Sequence, residues 1–584
     1  MIKISNIKKT YHFFNKKINI DFSFVNKIFF SNGLNKIFIL GNPILNSTID
    51  FQSIIDAVNS DILNNEFLKK IDGEFLLIII NERNVTIISD RFSSIPLYYS
   101  LKNNEFNIST NMLNLFKKLD KKNLKIEKFM EFLYFQRLHG YSTYSNEIHI
   151  LPASTKLKYN FKNINLDKYW FQNFKKDNSY NVKEYAIKLG NSIQNSIKKK
   201  TSDKQKHNNK FGLFLSGGMD TRTVLAGFTD IKPISFTLGF SEDAEYKIAK
   251  LLTLKKNYEH HFIHLNKRHY EQHFDELIET SSGMHVFDHG LFHGIGKDIA
   301  KHVDVTFNGH GFDYMFQGMY IPKDNFKIFG KPTYLNKLRT LKKEFITDYF
   351  ENISYKYKHI NPLKYINAKS KIDTIDSINK ELKKVFEEGK NYGCESFYDS
   401  WDYMITHNIS SHYPYTNVVS MHNTSQPRTV SFDNDIFDIF LKIPIEYRLN
   451  GKILKETLKY LDKDFANIIS ANNGLKITSS PLSMTLKIIF RKILSKISDS
   501  KKFKHPSASE RTWPDRYDYL MNNKYLYSKA EDLISSEYID IAMPYLDRDL
   551  LNKDIKNWLN GDRKGGDFLF RLITINEFLK KGYA

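Results

Sequence analysis

Residues 211–222 read Phe211-Gly212-Leu213-Phe214-Leu215-Ser216-Gly217-Gly218-Met219-Asp220-Thr221-Arg222. The apolar half predicts a buried strand, and the glycines predict a tight turn into a helix that begins near Thr221. Glycines let the backbone approach a ligand closely, and consecutive amides beside a helix N-terminus attract anions. Asp220 would be repelled by a bare phosphate, so its place in this turn predicts a bridging Mg²⁺. A structural alternative is a turn in which Ser or Asp only caps the helix.

The segments on either side of this turn predict an α/β unit. Helical patterns separate most of the strand candidates, which are residues 211–215, 234–238, 262–265 and 303–307. Strands that alternate with helices are typical of parallel sheets with right-handed crossovers. Residues 182–200 predict a further helix, and the pattern beyond about residue 318 is mainly helical. The first 170 or so residues instead predict a β-rich region, and residues 175–181 predict a polar linker.

A second glycine-containing turn follows a predicted strand about ninety residues further on. It reads Asn308-Gly309-His310-Gly311-Phe312-Asp313-Tyr314-Met315-Phe316-Gln317-Gly318. This segment resembles the Gly-Glu-Gly-Ser-Asp-Glu-Leu-Phe-Gly-Gly segment of asparagine synthetases. The first turn resembles the Ser-Gly-Gly-x-Asp-Ser loop of enzymes that split ATP into AMP and pyrophosphate. The resemblance implies that Asp313 is a second magnesium ligand, facing Asp220 across the pyrophosphate.

Further segments continue the resemblance, in the family's order, along nearly the whole chain. Residues 234–240 are similar to the family's second strand, beside the adenine, and residues 427–433 are similar to its Arg-Val-Pro-Phe-Leu-Asp segment. Residues 72–75, 88–91 and 95–99 resemble the family's amidotransferase domain. The resemblance implies two domains. Residues 1–174 would form an α+β, Ntn-hydrolase-like αββα sandwich, and residues 182–584 an α/β parallel-sheet ATP-pyrophosphatase (HUP-like) domain with a helical C-terminal extension.

The implied cofactors are ATP and Mg²⁺. The resemblance implies nucleotide contacts at Leu215, Ser216, Gly217, Gly218, Asp220, Thr221, Leu238, Gly239, Asn308 and Gly309. It implies Asp220 and Asp313 as the magnesium ligands.

The chain departs from the family at the nucleophile for glutamine hydrolysis. Glutamine-hydrolysing members use a cysteine directly after the initiator methionine, with its free amine as the base. Residue 2 is isoleucine here, and the single cysteine, Cys394, lies in the other domain. We therefore expect no glutaminase activity, as in β-lactam synthetases and some lasso-peptide cyclases, where an amine of the substrate attacks.

Two further departures concern the catalytic residues. His310 replaces the family's glutamate and is a candidate general base or pyrophosphate ligand, or a loop residue without a catalytic role. The family's late lysine has no clean counterpart: Asn473 stands at its position, and Lys476, three residues later, is the candidate to replace it.

Other features of the sequence are typical of structural roles. His289 and His293 are one helical turn apart, and no third zinc ligand is evident beside them, so they predict a pocket or surface role, as do His260, His261 and His264. Residues 486–504 carry apolar residues at helical spacing in a basic segment. They predict a helix packed on its own domain, with membrane or partner docking as the alternative.

Bulk properties limit the remaining classes. The net charge is +21 over 584 residues, but the lysines are spread along the chain, so no nucleic-acid partner is expected. One cysteine excludes an internal disulfide framework and suits a reducing cytosol. No apolar run approaches the ~20 residues that cross a bilayer. We therefore expect a cytoplasmic protein, and a homodimer is left open.

These inferences predict an AMP-forming, carbon–nitrogen amide ligase. It would adenylate a small-molecule, peptide or sugar carboxylate and transfer it to an amine, without hydrolysing glutamine. Two alternatives stay open: an ammonia-dependent asparagine synthetase, and a pseudoenzyme that binds nucleotide or a partner without turnover.

Overall fold

The computed structural model describes residues 2–3, 7–13, 16–22, 27–119, 123–203, 209–328, 331–471, 474–497 and 513–584. Within these ranges the chain mixes helices and sheets, as the sequence predicts. No helix within them is both long and apolar enough to span a bilayer.

The strands are β1 (Ile2–Lys3), β2 (Ile7–Phe13), β3 (Lys16–Phe22), β4 (Lys27–Ser31), β5 (Lys36–Leu45), β6 (Thr48–Ile49), β7 (Asp72–Ile80), β8 (Val85–Ser89), β9 (Tyr98–Lys102), β10 (Glu105–Ser109), β11 (His149–Ile150), β12 (Thr155–Tyr159), β13 (Ile164–Lys168), β14 (Phe211–Phe214), β15 (Ile234–Gly239), β16 (His260–His264), β17 (Val305–Asn308), β18 (Lys323–Ile328), β19 (Lys331–Leu338) and β20 (Gln426–Thr429).

The α-helices are α1 (Gln52–Asn59), α2 (Asn65–Lys70), α3 (Met112–Phe116), α4 (Ile126–Phe135), α5 (Val182–Lys200), α6 (Met219–Gly227), α7 (Ala244–Lys256), α8 (His269–Gln272), α9 (Phe274–Ser281), α10 (Gly296–Ala300), α11 (Phe312–Met315), α12 (Phe345–Asn352), α13 (Ala368–Asn391), α14 (Phe397–Thr406), α15 (Thr416–Met421), α16 (Asn434–Lys442), α17 (Ile445–Arg448), α18 (Lys452–Leu461), α19 (Lys463–Asn467), α20 (Pro481–Ile497), α21 (Arg516–Met521), α22 (Lys524–Asp532), α23 (Glu537–Ala542), α24 (Arg548–Leu559) and α25 (Gly566–Tyr583).

Two stacked sheets form the first part of the chain. One has the order β1-β4-β5-β7-β8-β12-β13, with β6 paired to β5, and the other has the order β11-β9-β10-β3-β2. Both faces of strand β7 are buried, which explains its unbroken apolar sequence. Leu76 and Ile78 pack between the sheets against Ile18, whereas Leu77 and Ile79 pack outward with α1 and α2. Helix α3 covers β9 and β10 on the far side, so the layers run helix, sheet, sheet, helix.

The later sheet sets the position of the two glycine turns. Its order is β16-β15-β14-β17-β20, and every neighbouring pair is parallel. Strands β15 and β16 are added in sequence order on one side of β14, and β17 pairs with the other side of β14. Ligands of such open sheets bind beyond the carboxyl ends of the strands, where the strand order reverses. The turns after β14 and β17 lie side by side at that point.

The predicted elements around this sheet are confirmed within one or two residues at most ends. Helix α5 has the predicted bounds and begins with a capping box between Asn181 and Glu184. The hairpin β18–β19 and the strand β20 were not predicted. Strand β20 has only four residues and contains Pro427, a residue that sheets tolerate mainly on edge strands such as this one.

The helix predicted for residues 486–504 is confirmed as far as the described residues reach. Helix α20 forms over its first part, but residues 498–504 lie outside the described ranges. Leu486 is 57% and Phe490 62% exposed, whereas Met484 is buried. Leu486 and Phe490 therefore do not pack on the domain as expected, although the helix contacts the hairpin strand β19.

Charged groups join the first sheet layer to the later part of the chain. Lys199 on α5 donates to Asp72 at 2.9 Å, to Asp433 at 3.1 Å and to Asp435 at 2.8 Å. Two residues beyond Asp72 on β7, Glu74 accepts a hydrogen bond from the Thr429 amide at 2.8 Å. Glu74 is completely surrounded by protein, and burial raises its pKa to about 7.

This buried acid predicts a pH-dependent stability. Between the unperturbed pKa of 4.5 and about 7, folded Glu74 holds a proton that the unfolded chain has lost. The free energy of unfolding therefore falls as the pH rises through this window, by at most about 1.4 kcal/mol per pH unit. Glu74→Gln imitates the protonated form. In urea unfolding it should match the wild type near pH 4.5 and be the more stable protein at pH 8.

The matched control is Glu82→Gln, at an exposed position in the turn after β7. It should keep the wild-type pH slope. Parallel profiles for Glu74→Gln and the wild type would contradict this account of the buried acid.

Candidate functional site

The first glycine turn is held by its own hydroxyl groups. The Ser216 amide donates to Oγ1 of Thr221 at 3.0 Å, and the Gly218 amide donates to Oγ of Ser216 at 3.2 Å. Gly218 is the N-cap of α6, and no side chain caps the helix. The structural alternative, a turn closed by a capping Ser or Asp, is therefore not what forms here. An uncapped helix N-terminus leaves backbone amides to attract an anion.

The two glycine turns touch each other through their backbones. A Cβ atom on Gly309 would lie 2.8 Å from the Thr221 nitrogen and 3.0 Å from the Asp220 carbonyl carbon. A Cβ atom on Gly217 would lie 2.5 Å from Cβ of Ala471. Glycine is required at both places because a side chain has no room. The close approach brings the first turn of α6 against the end of β17.

Asp220 and Asp313 face one cavity of about 490 Å³. The amide of Gln317 donates to Asp220, and the Tyr320 hydroxyl lies 3.5 Å from Oδ2 of Asp313. Burial and the nearby Asp313 charge raise the pKa of Asp220 to about 8, and burial raises the pKa of Asp313 to about 6. Two carboxyl groups that repel each other in one recess fit a small divalent cation, and Mg²⁺ prefers such oxygen ligands.

The cavity brings together part of the predicted nucleotide set. Ser216, Gly218 and Asp220 line it, as does Glu245 on α7. The other predicted nucleotide residues are not part of the described cavity lining and lie at strand ends and in the turns that follow them: Leu215, Gly217, Thr221, Leu238, Gly239, Asn308 and Gly309. The side chain of Asn308 is already hydrogen-bonded within the protein. Its Nδ2 donates to Oγ1 of Thr429 at 3.2 Å, and its Oδ1 accepts from the backbone amide of His310 at 3.0 Å.

Among the described residues, two lysines line the cavity, of which the sequence predicts one. Lys476 is exposed and pairs with Ile469 in an isolated β-bridge. Asn473, at the family's lysine position, lies outside the described residues. Lys455 on α18 was missed. It lines the same cavity, and burial together with the Lys459 charge lowers its pKa.

Helical spacing is the sequence signal nearest to Lys455, and it is not enough to find this residue. On α18, Ile453, Leu454 and Leu458 are buried in the core. Their spacing defines one face of the helix but does not indicate that its flank borders a cavity.

The surroundings of His310 disfavour a cationic role for its ring. Its ring makes edge-on contacts with Tyr314, Tyr415 and Phe432, and it is absent from the described cavity lining. Burial lowers its pKa to about 3, so the ring is neutral near pH 7 and cannot hold pyrophosphate as a cation. Of the alternatives for His310, this placement favours a residue without a catalytic role: a ring that packs among aromatic side chains stands at the glutamate position of the family.

The sole cysteine of the chain is far from a reactive state. Cys394 is buried between α13 and α14. Burial, with the Asp399 and Asp402 charges, raises its thiol pKa to about 12. A thiol attacks as the thiolate, so this cysteine is inert at neutral pH.

The fold and the paired turns define a class of α/β protein whose ligand site is a crevice at the switch point of a parallel sheet. The chain belongs to the asparagine synthase family. The Asparagine synthase family model matches residues 192–560, more than half of the chain, and the Glutamine amidotransferase domain model matches residues 27–170.

One curated relative is the glutamine-hydrolysing asparagine synthetase 1 of Bacillus subtilis (strain 168). It is 22% identical over 431 residues, which cover 68% of this chain and 65% of the relative. The match therefore spans just under two thirds of that protein's length.

Two solved structures also align in part. The glutamine phosphoribosylpyrophosphate amidotransferase from B. subtilis, complexed with ADP and GMP, aligns at 10% identity over 42% of this chain and 53% of that chain. An allosteric regulatory enzyme of purine biosynthesis aligns at 8% identity over 41% of this chain and 62% of that chain. The TM-score is 0.17 for both, too low to support an argument.

Proposed function

We propose that this chain is an ATP-dependent, AMP-forming amide ligase. It activates a carboxylate as an acyl-adenylate and passes the acyl group to an amine, without hydrolysing glutamine. The observation that carries the proposal is the pair of carboxyl groups, Asp220 and Asp313, that enter one cavity beside an uncapped helix N-terminus.

In this mechanism the first glycine turn binds the pyrophosphate part of ATP. Gly217 and Gly309 leave room for the two turns to meet, and the free amides at the start of α6 face the negative charge. Asp220 and Asp313 would hold Mg²⁺, which when bound offsets the phosphate charge and orients the reacting groups. The elevated pKa values of both carboxyl groups mean that the pair must release protons when it takes up the cation.

The reaction has two steps. A carboxylate oxygen attacks the α-phosphorus, the bond from that phosphorus to the bridging oxygen breaks, and pyrophosphate leaves. The amine nitrogen then attacks the acyl carbon, AMP leaves with the bonding electron pair, and the nitrogen loses a proton to solvent. Lys455 and Lys476 border the cavity where negative charge accumulates in the first step. Holding both reactants in the recess supplies a further part of the acceleration.

The proposal gives Lys455 the larger share of this charge stabilisation. Lys455→Met is expected to lower kcat for pyrophosphate release about a hundredfold. Lys476→Met is expected to cost less, since Lys476 is exposed and solvent and salt screen its charge. Discontinuous assays of the rate of pyrophosphate release at saturating ATP measure both effects. Lys463→Met, an exposed change on α19, is the control and should leave kcat unchanged. An active Lys455→Met enzyme would remove this residue from the mechanism.

Absence of glutamine hydrolysis is supported by Cys394. Because its thiol pKa is raised to about 12, we expect neither glutamate release from glutamine nor inhibition by iodoacetamide. Cys394→Ser should retain pyrophosphate release with the productive carboxylate and amine. Glutamate release that the Cys394→Ser change abolishes would contradict this part of the proposal.

The test of the function is pyrophosphate release with ATP, Mg²⁺ and a panel of carboxylates, each with and without an amine. Amine-dependent formation of an amide and AMP with a carboxylate other than aspartate supports the proposal. Release that needs aspartate and ammonium indicates asparagine synthesis instead. Nucleotide binding without release from any member of a broad panel indicates a protein that binds nucleotide without turnover.

A further inference from the structure

A cluster of side chains of metal-binding types lies at the amino-terminal ends of the parallel strands, whereas the proposed active site lies at their carboxyl ends. Glu259 immediately precedes the edge strand β16, and His261 lies at the strand's start. His302 lies between α10 and β17. Each of these positions is at the amino end of its strand, whereas the two glycine turns follow the carboxyl ends of β14 and β17. The cluster is therefore separate from the cavity that Asp220 and Asp313 share.

The three side chains already converge. Nε2 of His261 lies 2.5 Å from Oε1 of Glu259. The ring centroids of His261 and His302 are 4.0 Å apart. One ligand atom from each of the three residues lies within 4.8 Å of the other two. Donors around a tetrahedral zinc ion are about 3.3 Å apart, given metal–ligand distances near 2.0–2.1 Å, so small side-chain rotations would complete this arrangement.

A buried aromatic ring holds the two imidazoles. The ring centroid of Phe236 on β15 lies 5.8 Å from that of His261 and 5.9 Å from that of His302. Phe236 is fully buried, so it provides a fixed surface for both histidines. Lys301, beside His302, is paired with Asp298 at 2.7 Å.

We propose that Glu259, His261 and His302 form a binding site for a divalent transition-metal ion, with Zn²⁺ as the fitting ion. Two imidazole nitrogens and one carboxylate are a donor set that suits Zn²⁺. Mg²⁺, the ion of the proposed active site, prefers all-oxygen surroundings. Three protein ligands leave a fourth position for water or another small ligand.

Metal binding at this position would tie two separate segments together. Strand β16 is the edge of its sheet, and His302 belongs to the connection that leads into β17, three strands in from that edge. A metal bridge between them would fix the edge strand against the sheet. The bound ion should therefore raise the melting temperature, because it binds the folded protein and not the unfolded chain.

The test uses the full-length protein after treatment with a chelator. Zn²⁺ is titrated in competition with a chromophoric chelator, Co²⁺ is followed by visible absorption, and melting is measured with and without Zn²⁺. We expect one equivalent of tightly bound metal, a visible Co²⁺ band and a rise in Tm with Zn²⁺. Excess Mg²⁺ should not compete.

His302→Ala and Glu259→Gln are the test variants, and His264→Ala is the matched control. His264 is an exposed histidine on the same strand and lies outside the cluster. His302→Ala should weaken Zn²⁺ binding at least tenfold and remove the Tm shift, Glu259→Gln should weaken binding, and the control should behave as the wild type. Equal binding by wild type and His302→Ala, or no saturable binding, would overturn the proposal. Pyrophosphate release is a separate readout, so failure of the metal site leaves the proposed ligase untouched.

Discussion

Asp220→Asn is expected to abolish pyrophosphate release and yet to stabilise the metal-free protein. Loss of one of two carboxylates should remove several kcal/mol of transition-state stabilisation, which corresponds to a rate loss of about a thousandfold or more. The same carboxylate is a cost to the fold when no cation is present, because Asp220 is enclosed near the Asp313 charge and its pKa is raised to about 8.

The stability gain should depend on pH in a defined direction. An acid whose folded pKa is raised destabilises the fold increasingly as the pH rises from its ordinary pKa toward the folded pKa. The rise in Tm of Asp220→Asn over wild type, measured in chelator, should therefore be larger at pH 8 than at pH 5. Saturating Mg²⁺ should reduce or reverse the difference, since the wild type gains more from binding.

A matched control separates this effect from loss of any aspartate. Asp298→Asn removes a half-exposed carboxylate that pairs with Lys301 on the surface. It should leave both pyrophosphate release and Tm near wild-type values, as exposed pairs contribute little. An Asp220→Asn protein that turns over normally would refute the role of the carboxylate pair, whatever its stability.

Lys199→Met is expected to be the most destabilising of these substitutions. Lys199 is the shared partner of Asp72, Asp433 and Asp435, and Asp433 is fully buried. Removing Lys199 leaves Asp72 and Asp433 without a hydrogen-bonded cation and with only the charge of Lys200 nearby. Loss of one partner of a buried ion pair typically costs 3–5 kcal/mol. Because the Lys199 side chain keeps 15% exposure, we expect a loss of about 3 kcal/mol in the free energy of unfolding.

The adjacent lysine provides the control. Lys198 is exposed on the same turn of α5, and Lys198→Met should change the free energy of unfolding by less than about 0.5 kcal/mol. Urea unfolding by fluorescence and circular dichroism measures both variants. Asp72 lies on β7 and Asp433 precedes α16, so Lys199→Met should also expose the contact between these segments to limited proteolysis. Equal stability of the two variants would show that Lys199 does not hold the segments together.

The fold was predictable where sequence patterns are local. Helix α5 is confirmed with its predicted bounds, because its helical pattern and its capping box lie in neighbouring residues. Strand β20 is four residues long and contains Pro427. Its place in the sheet depends on pairing with β17, which is more than a hundred residues earlier in the chain. A local sequence pattern does not indicate which strand it pairs with.

The site was predictable only in its two turns. Gly217, Asp220 and Gly309 follow apolar strands, so their placement at one sheet edge could be expected from the sequence. The burial of His310 among aromatic rings comes from Tyr415 and Phe432, both more than a hundred residues later. Lys455 enters the cavity because α18 packs against α6, a contact that depends on tertiary structure.

The most direct test of the central claim is a crystal structure with a non-hydrolysable ATP analogue and Mn²⁺ in place of Mg²⁺. We expect anomalous scattering from an ion that lies within about 2.2 Å of carboxylate oxygens of Asp220 and Asp313, or that the nucleotide phosphates bridge to them. The phosphates themselves should lie at the start of α6. Phosphates bound elsewhere, or an ion that contacts neither carboxylate nor the phosphates between them, would contradict it.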